Sequence, residues 1–313
     1  MRAMRVFVAG ASGVIGRELV PLLREAGHEV VGLARGDAAA ARVRASGAEP
    51  VQGDALDASS IAMVVRAVAP DAIVNQLTAL PADLNPRKMR SQLAPTNRLR
   101  TEGTRNLVAA AEAAGVGNLV SQSIAFAYAP RGDRVVDEDA PLNTNAGTEF
   151  RDAARAVAEL ERLTTEANGV ALRYGYFYGP GTSYARDGSI AKMVERRVFA
   201  IVGDGGGMFS FVHVRDAAEA TVAALEIDGP AIFNIVDDEP APLREWLPEY
   251  ARLLGAKPPR RIPVWLARLG GGRHAVELTT EQRGASNARA RAQLRWSPAH
   301  ETWRGGFAEE LRG

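Results

Sequence analysis

Gly10, Gly13 and Gly16 follow the apolar run Val6-Phe7-Val8-Ala9 and lead into Val14 and Ile15, the start of a helix-forming stretch. Glycines at this spacing between a strand and a helix make a phosphate cradle. The first permits a tight turn, the second lets the backbone approach a pyrophosphate, and the third lets the helix pack on the strand. The helix then offers free N–H groups and its positive dipole end to the anion, with Ser12 in the turn beside it. A glycine pattern alone occurs by chance; at the head of a βαβ unit it signals a dinucleotide.

The end of the second strand bears on which dinucleotide. An NAD site places Asp or Glu there for the ribose 2′-hydroxyl. This chain has Ala34-Arg35-Gly36, with no acid before Asp37. Arg35 suits a 2′-phosphate, so NADP is expected over NAD, although Arg35 could equally stack on the adenine of either. Asp54, followed by Ala55 at the end of the third strand, is placed to accept the adenine amino group. Its other reading is a helix N-cap, a position for which Asp57 competes.

Around the cradle, apolar strands and helical stretches alternate. Strands are expected at 5–9, 29–34, 50–53, 71–77, 118–122 and 170–177, and helices at 15–26, 38–46, 59–68, 97–114 and 149–167. Continuous apolar strands joined by helices mean a parallel sheet covered on both faces. Past Tyr178 the rhythm breaks at Gly179-Pro180-Gly181, Gly203–Gly207 and a series of prolines. The expected fold is therefore α/β, a doubly wound parallel (Rossmann) sheet with a smaller loop-rich C-terminal substrate lobe. Residues 1–178, with about 209–236, form the dinucleotide-binding unit; 179–208 and 237–313 form the lobe.

The motifs, taken in order, resemble the extended short-chain dehydrogenase/reductase family, the epimerase and dehydratase group. They are the Gly10–Gly16 turn, Gly53-Asp54, Val74-Asn75-Gln76-Leu77-Thr78, Asn97 with Gly103-Thr104, Ser121-Gln122-Ser123, Leu172-Arg173, Tyr178-Gly179-Pro180-Gly181, Phe211–Asp216 and Phe233–Val236. The resemblance implies that Gln76, Leu77 and Thr78 line the cofactor and that Asn97 fixes a strand–helix join beneath the site. It implies that Ser123 bonds the substrate oxygen. It also implies a Tyr that moves a proton and a Lys, four residues on, that lowers its pKa. Here the chain departs from the family. Lys88, Lys192 and Lys257 are its only lysines, and Leu84, Gly188 and Leu253 stand four residues before them. Aligned on the helix, the pair falls on Arg151 and Arg155. Arg155 suits the nicotinamide ribose, but a guanidinium is no proton donor, since its pKa stays above about 12.

Two tyrosines are candidates to replace the missing phenol. Tyr128 follows the Ser123 strand, and Tyr176 lies on a strand with Tyr174 and Tyr178, where alternation turns all three to one face. Each has an equally good reading as a core residue with a bonded hydroxyl. His213 reads as a core histidine. Asp83, Arg87, Tyr184, Arg186 and Asp187 sit in polar loops beside the expected pocket, and Gly203–Gly207 suits a flap or a hairpin turn. No His, Asp or Glu cluster has metal-ligand spacing.

Net charge is +1 without a basic block, which argues against nucleic acid. Cysteine is absent, excluding disulfides and thiolate chemistry. No apolar run reaches the roughly 18 residues of a membrane span, and a strand begins within a few residues of Met1, so a cytoplasmic protein is expected. The reading is an NADP(H)-binding oxidoreductase or epimerase/dehydratase-type enzyme with a non-standard proton donor. It would act on a small polar carbonyl or hydroxyl substrate and pair as a homodimer through 97–114 and 149–167. The alternatives are a cofactor-sensing or structural binding protein and a redox-neutral isomerase or lyase.

Overall fold

The computed structural model describes residues 2–81 and 88–312; Asp83 and Arg87 lie outside them. Seven parallel strands form the central sheet: β1 (Arg5–Ala9), β2 (Glu29–Ala34), β3 (Glu49–Gln52), β4 (Ala72–Asn75), β5 (Asn118–Ile124), β6 (Val170–Tyr174) and β7 (Ala231–Ile235). Their spatial order is β7-β6-β5-β4-β1-β2-β3. Order reverses between β1 and β4, where Ala9 pairs with Asn75, and ligands of doubly wound sheets bind outside the strand ends at such a reversal.

Helices cover both faces, which is why β1 is apolar without alternation. Val6 and Val8 pack toward α1 (Val14–Glu25), α2 (Asp37–Ala45) and α7 (Val214–Ala224). Phe7 and Ala9 pack toward α3 (Ala58–Val68) and α5 (Thr104–Ala114). Asp57 caps α3 by accepting from the Ser59 and Ser60 amides.

Two elements differ from the expectation. The helix expected over 97–114 starts earlier, as α4 (Met89–Arg98), and reaches α5 through a π-helical turn at Leu99–Gly103. Threonine hydroxyls back-bond to carbonyls within it, Thr101 to Asn97 at 3.0 Å and Thr104 to Leu99 at 3.5 Å, which eases the regular ladder. The strand expected over 170–177 breaks at Gly175. The Gly175 amide still bonds Ile235 of the main sheet, but that of Tyr176 bonds Ser210. Tyr176–Tyr178 pairs with Phe211–His213 in a separate ribbon. A Cβ on Gly175 would lie 2.5 Å from the Ser210 carbonyl, so only glycine permits the divergence. Tyr174 consequently packs in the sheet core and Tyr178 in the C-terminal core; the three tyrosines do not share one face.

That second core unites α8 (Leu243–Leu253) and α10 (Trp303–Glu310) with the ribbon through Phe211, Trp246 and Phe307, each fully buried. Truncating one such aromatic costs roughly 3–5 kcal/mol. A further helix, α9 (Val264–Thr280), is kinked at Gly272, whose φ is 78°.

Candidate active site

The cradle is built at the β1 exit. Gly10 takes φ +100°, a region that favours glycine, and a Cβ there would lie 2.6 Å from the Gln76 carbonyl. The ends of β1 and β4 thus close to backbone contact. The Gly13 amide donates to the Gly10 carbonyl at 3.0 Å, and a Cβ on Gly16 would lie 2.4 Å from the Ala11 carbonyl. α1 begins with no capping side chain on Gly13 and no acid in its first turn. Its leading N–H groups are therefore open to an anion, with no competing carboxylate in the first turn. Ile15 is buried, with Val14 and Ser12 half-buried beside it. A turn that side chains would fill and an uncapped helix end fit a dinucleotide diphosphate.

At the expected adenosine end, Arg35 is exposed after β2, while the Asp37 carboxylate accepts from Gln52 at 3.1 Å. Asp54 accepts from the Leu56 amide at 2.9 Å and leaves the α3 cap to Asp57. Ala55 is buried, and its carbonyl accepts from the Asn106 amide at 2.9 Å. Past β4, Gln76 is buried, Leu77 half-buried and Thr78 exposed. Gln76 donates to the Tyr174 hydroxyl at 3.1 Å, but its buried Oε1 has no partner among the described residues.

Asn97 does not make the strand–helix join. The Ala79 amide bonds the Thr96 hydroxyl at 3.0 Å, and Asn75 donates to that of Thr104 at 3.1 Å. Asn97 Oδ1 is left without a partner among the described residues. Four-residue spacing makes 96, 100 and 104 the line facing β4, and Asn97 lies one position off it.

None of the three residues expected to handle the substrate oxygen or proton is presented for that work. Ser123, 1% exposed, donates to Glu161 Oε1 at 2.6 Å. Glu161 is also clasped by both ends of the Arg173 fork at 2.7 Å. Tyr128, 4% exposed, donates to Asn234 at 2.6 Å and accepts from Arg173 at 2.9 Å. Burial is the main cause that pushes its phenol up to about 12. Tyr176 donates to Gln282 at 2.8 Å, and burial raises its pKa further still. Ser121 and Ser123 are both buried; the Ser123 hydroxyl joins a core polar network, while that of Ser121 has no partner among the described residues. The sequence shows Leu172-Arg173 but not the partner of Arg173, because Glu161 stands on the preceding helix and pairs with it only through the fold.

At the positions aligned with the family's Tyr and Lys, Arg151 and Arg155 are exposed on α6 (Arg151–Glu166). Arg155 Nε donates to the Thr144 carbonyl at 2.9 Å, bracing the loop before the helix. Outside the ends of β5 and β6, Phe126 stacks on Tyr176 at 4.3 Å and 13°. At the head of α6, Phe150 stacks on His274 of α9 at 4.8 Å and 12°. Burial holds His274 neutral, its pKa pushed down to about 4. The fold also gathers His213, Asp216 and His300, whose ligand-type atoms lie within 4.8 Å of one another. Asp216 there anchors the C-terminal segment, accepting from the His300 amide at 3.0 Å.

Residues 6–235 match the model of a family described as the NAD dependent epimerase/dehydratase family. The chain is 50% identical to a 3-diazoavenalumate denitrifying reductase from Streptomyces sp over 98% of its own length and 100% of that protein's. It is 28% identical to the dTDP-4-dehydrorhamnose reductase of Streptomyces griseus, over 83% and 79% of the two chains. Among solved structures it resembles the UDP-glucose 4-epimerase of Thermotoga maritima, with TM-score 0.76 and 18% identity over 98% and 97% of the chains. The Thermus thermophilus UDP-glucose 4-epimerase in complex with NAD gives 0.72 and 24%, over 98% of each.

Proposed function

Since the chain belongs to the NAD dependent epimerase/dehydratase family and is an NAD(P)-dependent enzyme of the short-chain dehydrogenase/reductase type, we propose that it reduces a small arene carboxylate bearing a diazonium group, replacing the N₂ group with hydrogen. The similarity to a denitrifying reductase, extending over both chains, supports this substrate class. The observation that carries the reading is the engagement of Ser123, Tyr128 and Tyr176 inside the protein, with guanidiniums where a phenol and an ammonium are implied.

A nicotinamide bound in the cradle would supply a hydride. A carbonyl carbon that gains hydride becomes an alkoxide and needs a proton, which a positioned acid delivers for a gain of typically 10²–10⁴-fold. An arene diazonium carbon needs none. Its new C–H bond replaces the C–N bond, whose electron pair leaves with N₂, and the cationic charge is cancelled. The protein's own residues then have to bind, orient and exclude water. Gly10, Gly13, Gly16 and the head of α1 would hold the diphosphate, and Gln76 and Leu77 would border it. Phe126, half-buried at the strand ends and backed by Tyr176 at 4.3 Å, is the aromatic surface suited to a conjugated substrate. Arg35, with no acid at the β2 end, favours NADP.

The test follows absorbance at 340 nm and N₂ release with NADPH and an arene diazonium carboxylate, using 4-deuterated NADPH or D₂O in separate runs. Deuterium reaching the product carbon from NADPH and not from D₂O is the expected result. No N₂ release, or deuterium from D₂O at that carbon, refutes the reading.

A further inference from the structure

The protein buries two guanidiniums and treats them differently. Arg173, 4% exposed, is held by Glu161 through two bonds of 2.7 Å. Arg100, 6% exposed, has no hydrogen-bond or ion-pair partner among the described residues. The side chain is buried, but none of its nitrogens is among the fully enclosed polar atoms left without a partner, so the tip of the fork keeps some access to solvent. A charge held with so little water and no counter-charge among the described residues is costly. Burial alone draws the Arg100 pKa down to about 10.

Its placement is specific. Arg100 lies in the π-helical turn Leu99–Gly103, a distortion frequent at functional sites. It stands one turn from Thr96 and one from Thr104, the residues bonded to Ala79 and Asn75 at the β4 exit. That line of the helix therefore faces the segment around Gln76, whose carbonyl meets Gly10 of the cradle. Gly103, in the same turn, lies beside Ala55 on the far side of the crevice; a Cβ on it would be 3.8 Å from that of Ala55.

We propose that Arg100 is the protein half of an ion pair that an anionic oxygen group of a bound ligand completes in the β1–β4 crevice. The inference rests on the reading that a dinucleotide-dependent reductase site occupies this crevice. Two ligands carry such a group: the dinucleotide, in its diphosphate, and the substrate, in its carboxylate. Guanidinium pairs bidentately with either.

The experiment compares wild type with Arg100→Met by calorimetry in two arms. One titrates ADP-ribose against adenosine, which lacks the diphosphate. The other titrates 4-hydroxycinnamate against its methyl ester on the NADPH-loaded protein. A loss of about tenfold or more for ADP-ribose, with adenosine within about twofold, assigns the partner to the diphosphate. The same loss for hydroxycinnamate, with ADP-ribose and the ester unchanged, assigns it to the substrate. Either result comes with an unliganded Tm equal to or above wild type, since a charge without a partner among the described residues has been removed. Anion affinities within about twofold of wild type, or losses shared equally by the neutral ligands, overturn the proposal. Arg100→Gln carries the same arms should Arg100→Met not fold. Neither arm requires turnover. Binding through Arg100 by a protein that leaves arene diazonium carboxylates intact would refute the reductase reading and leave this one standing.

Discussion

The Ser123 hydroxyl and the Glu161 carboxylate form a 2.6 Å hydrogen bond in a fully enclosed part of the core, with Arg173 clamped on the same carboxylate. A hydroxyl so placed stabilises a charged pair. Ser123→Ala should therefore lower stability by about 1.5–3 kcal/mol, the usual worth of a hydrogen bond to a charged group. Glu161→Ala, which strands Arg173, should cost about 3–5 kcal/mol. Urea unfolding measures both. The kcat of Ser123→Ala should stay within a few-fold of wild type; a drop of about a hundredfold with the fold intact would put Ser123 in the chemistry.

Tyr128→Phe and Tyr176→Phe each remove a hydroxyl that bonds Asn234 or Gln282. With a reaction that consumes no proton, both variants should retain kcat within about threefold, and the rate should show no solvent isotope effect. Loss of the typical 10²–10⁴-fold in either would mean that a phenol does supply a proton.

Arg35 is exposed at the end of β2, where no carboxylate competes for the ribose. Arg35→Ser should weaken NADPH binding by about tenfold while leaving NADH nearly unchanged, as expected for one charge-assisted contact to a phosphate. Fluorescence titration of both cofactors reads the difference. Equal losses, or none, would remove the case for NADP.

His274 has a pKa of about 4 in the folded protein against an ordinary value of 6.5. Between those values the unfolded chain binds a proton that the folded protein refuses. The contribution is complete above about pH 6.5 and is lost as pH falls toward 4, by on the order of 2–3 kcal/mol. His274→Phe keeps an aromatic ring against Phe150 and removes the titration, so its urea midpoint should fall less between pH 7 and pH 4. Parallel slopes for the two proteins would place the acid sensitivity in other groups.

The cradle was legible because its causes are local. Gly10 needs a left-handed φ, Gly16 needs helix–turn contact, and both demands fall within one βα unit. Most strand positions were legible for a similar reason, since strands buried on both faces carry unbroken apolar runs. Where local pattern and long-range packing competed, the pattern failed. The run through Tyr174-Gly175-Tyr176 reads as one strand, but the backbone pairing at Ser210 splits it in two. Asn97 lost its place to Thr96 and Thr104 because the inward line of α4 and α5 is set by packing on β4. Arg100 carries no signal in the sequence at all; only burial distinguishes it from the exposed Arg98 two residues earlier.

By itself, then, the sequence determined the parallel α/β fold, the glycine turn between β1 and α1 and the absence of a Tyr-x-x-x-Lys pair, since each follows from residue types within short spans. The tertiary structure decided which polar side chains face a ligand and which are spent on one another. Glu161 with Ser123, Asn234 with Tyr128 and Gln282 with Tyr176 are separated by 38, 106 and 106 residues. Whether a hydroxyl is free to react depends on partners that only folding brings within hydrogen-bonding distance, because leaving a buried polar group without one is costly.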